Sequence, residues 1–305
     1  MNTAVTKLLK TDYPIIQGSM AWIADASLAG AVSNAGGLGL IAGGSAPVDV
    51  VRAEIQKTRE LTDKPFGLNI MLLSPNKDDL AQLVLDEKVP IVTTGAGSPG
   101  VYMERWKAGG VTVIPVVASV ALAVRMERLG ADAVICEGCE AGGHIGDLTT
   151  MSFVPQTADA VKIPVIAAGG IADGRGVAAA FMLGASGVQC GTVFLTADEC
   201  NIHENYKQRV LDAKDTGTVV TGRIGGHPAR CLKTPATRKM LAIEKDNPDA
   251  LEEFLVGSLR KAVQDGDLEE GSFMCGQIAG MLNSRKTCRE IITDMFAQAE
   301  ALLHG

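Results

Sequence analysis

Eight times between residue 14 and about residue 195 the chain repeats one pattern: a short apolar, β-branched run, a glycine-rich or polar break, then an Ala/Leu-rich amphipathic stretch. The runs occupy 14–18, 38–42, 66–71, 90–94, 111–117, 133–137, 164–168 and 187–193. Between them, 47–61, 78–87, 120–129 and 174–183 carry the clearest helical periodicity. Alternation of this kind implies parallel strands joined by helical crossovers. Runs such as VTVIPVV and PVIAA are apolar throughout, so the strands are covered on both faces, as in a closed barrel or a doubly wound sheet. Periodicity does not choose between those two. The count of eight, with units of roughly 20 to 25 residues, favours an α/β (β/α)₈ TIM barrel.

Past residue 195 the pattern changes. Segment 215–238, DTGTVVTGRIGGHPARCLKTPATR, is polar, glycine-rich and mildly basic, and reads as a lid or excursion. From about 241 to 303 the chain reads as largely helical, broken at GDLEEGSFMCGQIAG. The expected organisation is therefore a barrel over 1–195, followed by a lid segment and a C-terminal helical extension over 196–305 that pack back on it.

Composition narrows the possible partners. A formal charge of −7 with no clustered Lys/Arg run argues against nucleic acid as the ligand. Seven scattered cysteines, and an N-terminus without the apolar stretch of a signal peptide, point to reduced thiols and a cytoplasmic protein. No run of about 18 apolar residues suggests a membrane span. The Rossmann fingerprint G-x-G-x-x-G is missing from the first βαβ unit, so any nicotinamide has no dedicated domain here.

In a barrel the chemistry gathers at the carboxyl ends of the strands. Those ends include Gly18-Ser19-Met20, Asn69, Glu137, Gly169-Gly170 and Gly191-Thr192. The last two pairs follow runs seven and eight, where barrels often hold a phosphate on backbone N–H groups. A tight turn is the bland reading of Gly169-Gly170, and pairing with Gly191-Thr192 weakens it. CEGCEAGGHIGDLTT (136–150) is the most chemically loaded stretch. A lone loop histidine is usually solvated, but Gly142-Gly143 place His144 at the functional face as a proton-handling candidate. Cys136 and Cys139 form a C-x-x-C, yet no second pair follows at metal spacing, and buried apolar thiols are the better reading. His227 and Arg230 are open between a phosphate or head-group clamp and a solvated loop. His203 and His304 read as surface residues.

With these residues in hand, the chain resembles the flavin-dependent, FabK-type enoyl-acyl carrier protein reductases within the nitronate monooxygenase (2-nitropropane dioxygenase) family. YPIIQGSMAWIADASLAGAVSNAGGLG, KPFGLNIMLLSP, TTGAGSP, EAGGHIG, PVIAAGGIADG and GQIAG carry the likeness in order, over essentially the whole chain. EAGGH and AAGGIADG are shared with the monooxygenases. The long opening motif, NIMLLSP, and Ile145 in place of an arginine lean toward the reductases. Ser19 replaces a glycine often found in its turn, and Cys139 is also a departure.

The resemblance implies noncovalent FMN across the barrel mouth. Met20, Ala21, Asn69 and Glu137 would line its ring or ribityl region, Gly142 and Gly143 its edge, and Gly169, Gly170, Gly191 and Thr192 its phosphate. Met274 and Gln277 would complete the pocket, with His144 as the catalytic residue. It further implies NADH or NADPH as reductant, an acyl carrier protein or CoA thioester as substrate in fatty acid biosynthesis, a homodimer, and stimulation by a monovalent cation whose ligands are unknown. Arg223, Arg230, Lys233, Arg238 and Lys239 are candidates for an acidic carrier's landing patch. The nearest rival is a nitronate monooxygenase, which uses the same barrel, flavin and histidine with oxygen. A non-catalytic flavin-binding barrel and a flavin-free phosphosugar enzyme are more distant.

Overall fold

A short helix, α1 (Ala4–Leu9), precedes the first strand in the computed structural model, which describes residues 1–44 and 46–305. The repeating part then runs β1 (Ile15–Gln17), α2 (Ala26–Asn34), β2 (Gly39–Ala42), α3 (Val48–Leu61), β3 (Phe66–Met71), α4 (Lys77–Asp86), β4 (Ile91–Gly95), α5 (Gly100–Ala108), β5 (Thr112–Val117), α6 (Val120–Arg128) and β6 (Val134–Glu137). A two-residue strand, β7 (Gly143–His144), interrupts the repeat before α7 (Thr150–Ala160), β8 (Val165–Ala168), α8 (Gly174–Met182) and β9 (Gly187–Cys190). All eight apolar runs become strands of one parallel sheet, ordered β1-β9-β8-β6-β5-β4-β3-β2. Its two ends meet where Gln17 N–H donates to Leu38 O (2.9 Å) and Leu38 N–H to Ile15 O (2.9 Å), closing a (β/α)₈ barrel.

Alternate residues of a strand face opposite sides, and here that rule sorts the molecule into layers. Ile16, Leu40, Ile114, Ile135 and Ile166 point inward and are fully buried, forming a floor that Val5 and Leu9 of α1 plug from below. The residues between them, such as Val134, Cys136, Val165 and Val188, face outward into the helical shell. Two positions beyond each floor residue, the same inward face carries Gly18, Ala42, Val116, Glu137 and Ala168, which line a cavity. The eighth run does not stay extended throughout: it turns after Cys190 into a 3₁₀ turn, Thr192–Thr196.

The remaining chain forms α9 (Glu204–Leu211), the antiparallel hairpin β10 (Thr218–Thr221) and β11 (Ala229–Leu232), α10 (Pro235–Asp246), α11 (Pro248–Leu255), the short α12 (Ser258–Arg260) and α13 (Cys288–His304). The polar 215–238 segment is thus not an irregular lid. Its β-branched TVVT pairs with ARCL, and β11 in turn pairs with β7 at Ala229↔His144 and Arg230↔Gly143. Capping-box threonines start α10 and α13, where Thr234 and Thr287 accept from the N3 backbone N–H. α13 packs against α8 and α2 on the barrel's outer wall. Among the described residues no helix is long and apolar enough to cross a membrane.

Candidate active site

A cavity of about 460 Å³ opens at the carboxyl ends of the barrel strands. Of the residues assigned to the cofactor or to catalysis, all but Gln277 line it: Met20, Ala21, Asn69, Glu137, Gly142, Gly143, His144, Gly169, Gly170, Gly191, Thr192 and Met274; His227 and Arg230, the candidate clamp, do not. Gln277 is exposed and lies off the lining; what it contributes is its backbone N–H, which donates to Glu140 O (2.9 Å).

The rim at the tips of β8 and β9 carries a specific backbone feature. Gly169 (φ 87°) and Gly170 (φ 74°) both lie in the left-handed region, which any side chain would strain. Among the described residues, the backbone N–H groups of Gly169, Gly170 and Gly191 have no protein acceptor. Unpaired donors that line a cavity beside the start of a helical turn are suited to an anion. Thr192 turns its hydroxyl elsewhere, accepting from Gly276 N–H (2.9 Å) and so holding the tail against this rim.

Toward the middle, the Asn69 amide donates to Thr93 Oγ1 (2.8 Å), which fixes its orientation. Glu137 projects from the tip of β6, and burial alone pushes its carboxyl up to about 7. No cation offsets that burial. Glu140 has a different task. Both its oxygens accept from Thr150 N–H at 3.0 Å, satisfying the first turn of α7.

His144 sits on β7, above the rim and held in the small sheet rather than in a free loop. Its pKa is lowered, first by burial and then by the nearby His227. Ile145 N–H donates to Pro228 O (3.0 Å), tying the next residue to the hairpin. The chain's path here depends on Gly142: a Cβ there would meet the Cys275 backbone at 2.7 Å. That closeness lets Cys275 and Gly276 run alongside, while Cys275 N–H donates to Arg230 O (3.3 Å).

Arg230 corrects an expectation. It is only 7 % exposed, so it belongs neither to a solvated loop nor to a surface landing patch. Its Nε and Nη2 donate to Cys139 O (3.2 and 2.9 Å), and Nη1 donates to Thr218 Oγ1 (3.2 Å). A guanidinium fork thus grips the base of the His144 loop. His203, expected at the surface, is partly buried and caps α9 by accepting from Asn205 N–H (3.1 Å). His304 is exposed. Cys136 is buried and pushed up to about 12, Cys139 is half-buried, and both are free thiols. Among the described residues no group of three His, Cys, Asp or Glu is arranged to hold a metal.

Comparison with known proteins gives this arrangement its context. The family described as nitronate monooxygenase matches residues 2–83 and 77–298. The chain belongs to that family. Among curated relatives in the nitronate monooxygenase family, a probable nitronate monooxygenase of Staphylococcus saprophyticus is 35% identical, with 100% of this chain and 99% of that protein covered. A (3aS,4S,5R,7aS)-5-hydroxy-7a-methyl-1-oxo-octahydro-1H-indene-4-carboxyl-CoA dehydrogenase of Mycobacterium tuberculosis is 33% identical over 98% of this chain and 96% of that one. The solved structure of FabK from Thermotoga maritima superposes with a TM-score of 0.98 at 52% identity, covering 100% of this chain and 98% of that chain. As a nitronate monooxygenase family member, the chain is an oxidoreductase.

Several residues of the site escaped sequence reasoning. Trp22, Glu140, Leu255, Leu259, Arg260 and Ile278 also line the cavity. Trp22 carried one signal, a bulky aromatic directly after a strand tip otherwise made of small residues. Glu140 lies in the β6–β7 loop between Glu137 and His144, and the others come from segments far along the chain from the strand tips they meet.

Proposed function

We propose that the protein is an FMN-dependent enoyl-thioester reductase, taking hydride from NADH or NADPH and delivering it to the β-carbon of a trans-2-enoyl chain on acyl carrier protein or CoA. The observation that carries this reading over other family activities is the 52% identity with FabK along the whole chain, against 35% and 33% for the relatives of other name. The rim supports it: its unpaired glycine N–H groups suit the FMN phosphate, and the apolar and amide lining beside them suits a flat ring. FMN, when bound, supplies the hydride relay between nicotinamide and substrate. The protein's part is placement and charge.

Gly169, Gly170, Gly191 and Thr192 hold the phosphate end; Met20, Ala21, Asn69 and Glu137 line the ring and ribityl end, with Gly142 and Gly143 at its edge and Met274 closing the pocket. As hydride reaches the β-carbon, negative charge gathers on the thioester oxygen, and the α-carbon must then take a proton. His144 donates a hydrogen bond to that oxygen or the proton to that carbon. Braced imidazole geometry matters because misplacement by about 1 Å costs on the order of 100-fold. The exposed Arg223, Lys233, Arg238 and Lys239 remain as a landing patch for an acidic carrier in this reading.

One anaerobic experiment tests it. Purified yellow protein is mixed with NADH or NADPH while flavin absorbance is followed, and crotonyl-CoA is then added. Bleaching on the first addition and recovery on the second is the expected result. A flavin that stays oxidised with both nucleotides, and is reduced only by an alkyl nitronate, refutes the reductase and supports the monooxygenase activity for which the family is described.

A further inference from the structure

The cavity has a cationic feature at its mouth, apart from the glycine rim. Trp22 follows the tip of β1, and Arg260 ends α12; both line the cavity, and the Arg260 guanidinium lies over the Trp22 ring at 5.3 Å from its centroid. Trp22 holds this place at φ 65°, a left-handed conformation that costs a bulky residue energy and persists only where the surroundings over-determine it. Arg260 uses one donor within its own turn, Nε to Gln264 Oε1 at 2.7 Å. Among the described residues no carboxylate forms an ion pair with it. Both Nη groups are therefore free, on a guanidinium whose face is already occupied by the indole.

A stacked guanidinium offers its edge, and the two Nη groups at that edge match the paired oxygens of a phosphate. The neighbouring lining is apolar, from Leu255 and Leu259, so the charge stands beside a surface that excludes water from one side. Arg260 is exposed, as are Arg223, Lys233, Arg238 and Lys239, but unlike them it lines the cavity.

We infer that Trp22 and Arg260 form a subsite for a phosphate ester carried by the reactant that enters the cavity after the flavin, namely the nicotinamide nucleotide or the pantetheine arm of the thioester. The inference rests on the proposed reductase activity, since that activity requires two phosphate-bearing reactants to reach one mouth. Arg260 binds the phosphate; Trp22 positions Arg260 and covers its face.

The test uses flavin-loaded protein and the Arg260→Gln, Arg260→Lys and Trp22→Leu variants. Binding is read without turnover by titrating NADP⁺ and coenzyme A while following flavin absorbance and tryptophan fluorescence. Trp22 is 38 % exposed whereas Trp106, the other tryptophan, is fully buried, so fluorescence changes on binding report mainly on the mouth. Kinetics compare crotonyl-CoA with the crotonyl thioester of N-acetylcysteamine, which lacks phosphate. Arg260→Gln should weaken one of the two phosphate ligands about tenfold, with Arg260→Lys between it and wild type. If the thioester carrier is the source, the KM ratio of crotonyl-CoA to its phosphate-free analogue rises by that factor. If the nucleotide is the source, the NADP⁺ titration moves and that ratio does not. Trp22→Leu should reproduce the weaker binding in part. Equal affinities for NADP⁺ and coenzyme A in wild type and Arg260→Gln, or no binding of either by wild type, would overturn the subsite. Because these titrations need no turnover, that failure is separate from a failure to reduce enoyl thioesters.

Discussion

Two residues on β6 divide the molecule's labour. Ile135 and Glu137 are two positions apart and face the same barrel interior, yet Ile135 is fully buried in the floor while Glu137 opens on the cavity. Ile16 and Gly18 on β1, Leu40 and Ala42 on β2, and Ile166 and Ala168 on β8 repeat the arrangement. Floor residues gain from leaving water, whereas rim residues forgo packing to leave room for a ligand. One step along a strand therefore separates stability from chemistry, and substitutions at the two levels should fail in different ways.

The largest effect is expected at the rim. His144→Ala should keep its flavin and lose about 10²- to 10⁴-fold in turnover with crotonyl-CoA; near wild-type rates in the purified variant would remove His144 from the mechanism. Ile135→Ala is the matching change in the floor. It should cost about 2–5 kcal/mol in denaturant unfolding, while the fraction that remains folded turns over almost normally. A variant with intact stability but lost activity would break the division between the two levels.

Arg230 stands between these cases, a buried group acting through the His144 loop as a positioning residue. Arg230→Met should lower kcat about 10- to 100-fold with a smaller change in KM, and Arg230→Lys should recover part of the loss. A loss confined to flavin content or folding, with normal kcat per bound flavin, would reduce Arg230 to a structural role.

Smaller effects come from the titrating groups. Glu137 holds a proton in the folded protein up to about pH 7, whereas the unfolded chain releases it near 4.5, so its burial makes stability fall as pH climbs through that window. Glu137→Gln should flatten this part of the profile, leaving apoprotein with a higher melting temperature than wild type at pH 8 and little difference at pH 4.5. Parallel melting curves across the range would place the carboxyl in water. His227→Gln removes the neighbouring ring that helps lower His144, so the His144 titration followed by NMR should move up. A downward move, or none, would uncouple the two rings.

Much of the fold was legible because barrel strands announce themselves locally. Each apolar run, from 14–18 to 187–193, contains the strand that forms except that β4 runs one residue further, to Gly95, and the misjudged end at 191–193 is where glycine and threonine start the 3₁₀ turn. The hairpin was missed as such because TVVT and ARCL are each four residues long, set in a polar stretch, and become strands only by pairing with each other and with β7. The candidate site was legible for the same reason as the barrel: its residues follow strand tips whose place the topology dictates. Gln277, expected to complete the pocket, is exposed and off the cavity lining, and its backbone N–H donates to Glu140 O.

What local chemistry could decide, it decided from the linear order alone. Alternation within strands chose inward and outward faces, glycine pairs marked the turns open to an anion, and the repeat count chose a closed sheet. The remaining arrangements belong to the folded state. The Arg230 grip on Cys139 O, the close passage of Cys275 and Gly276 beside Gly142, and the stacking of Arg260 on Trp22 each join segments that no periodicity relates. Their physical reason is common to all three. A side chain's partners at the rim are set by where distant loops return over the barrel, and that path is determined by packing against a core formed elsewhere in the chain.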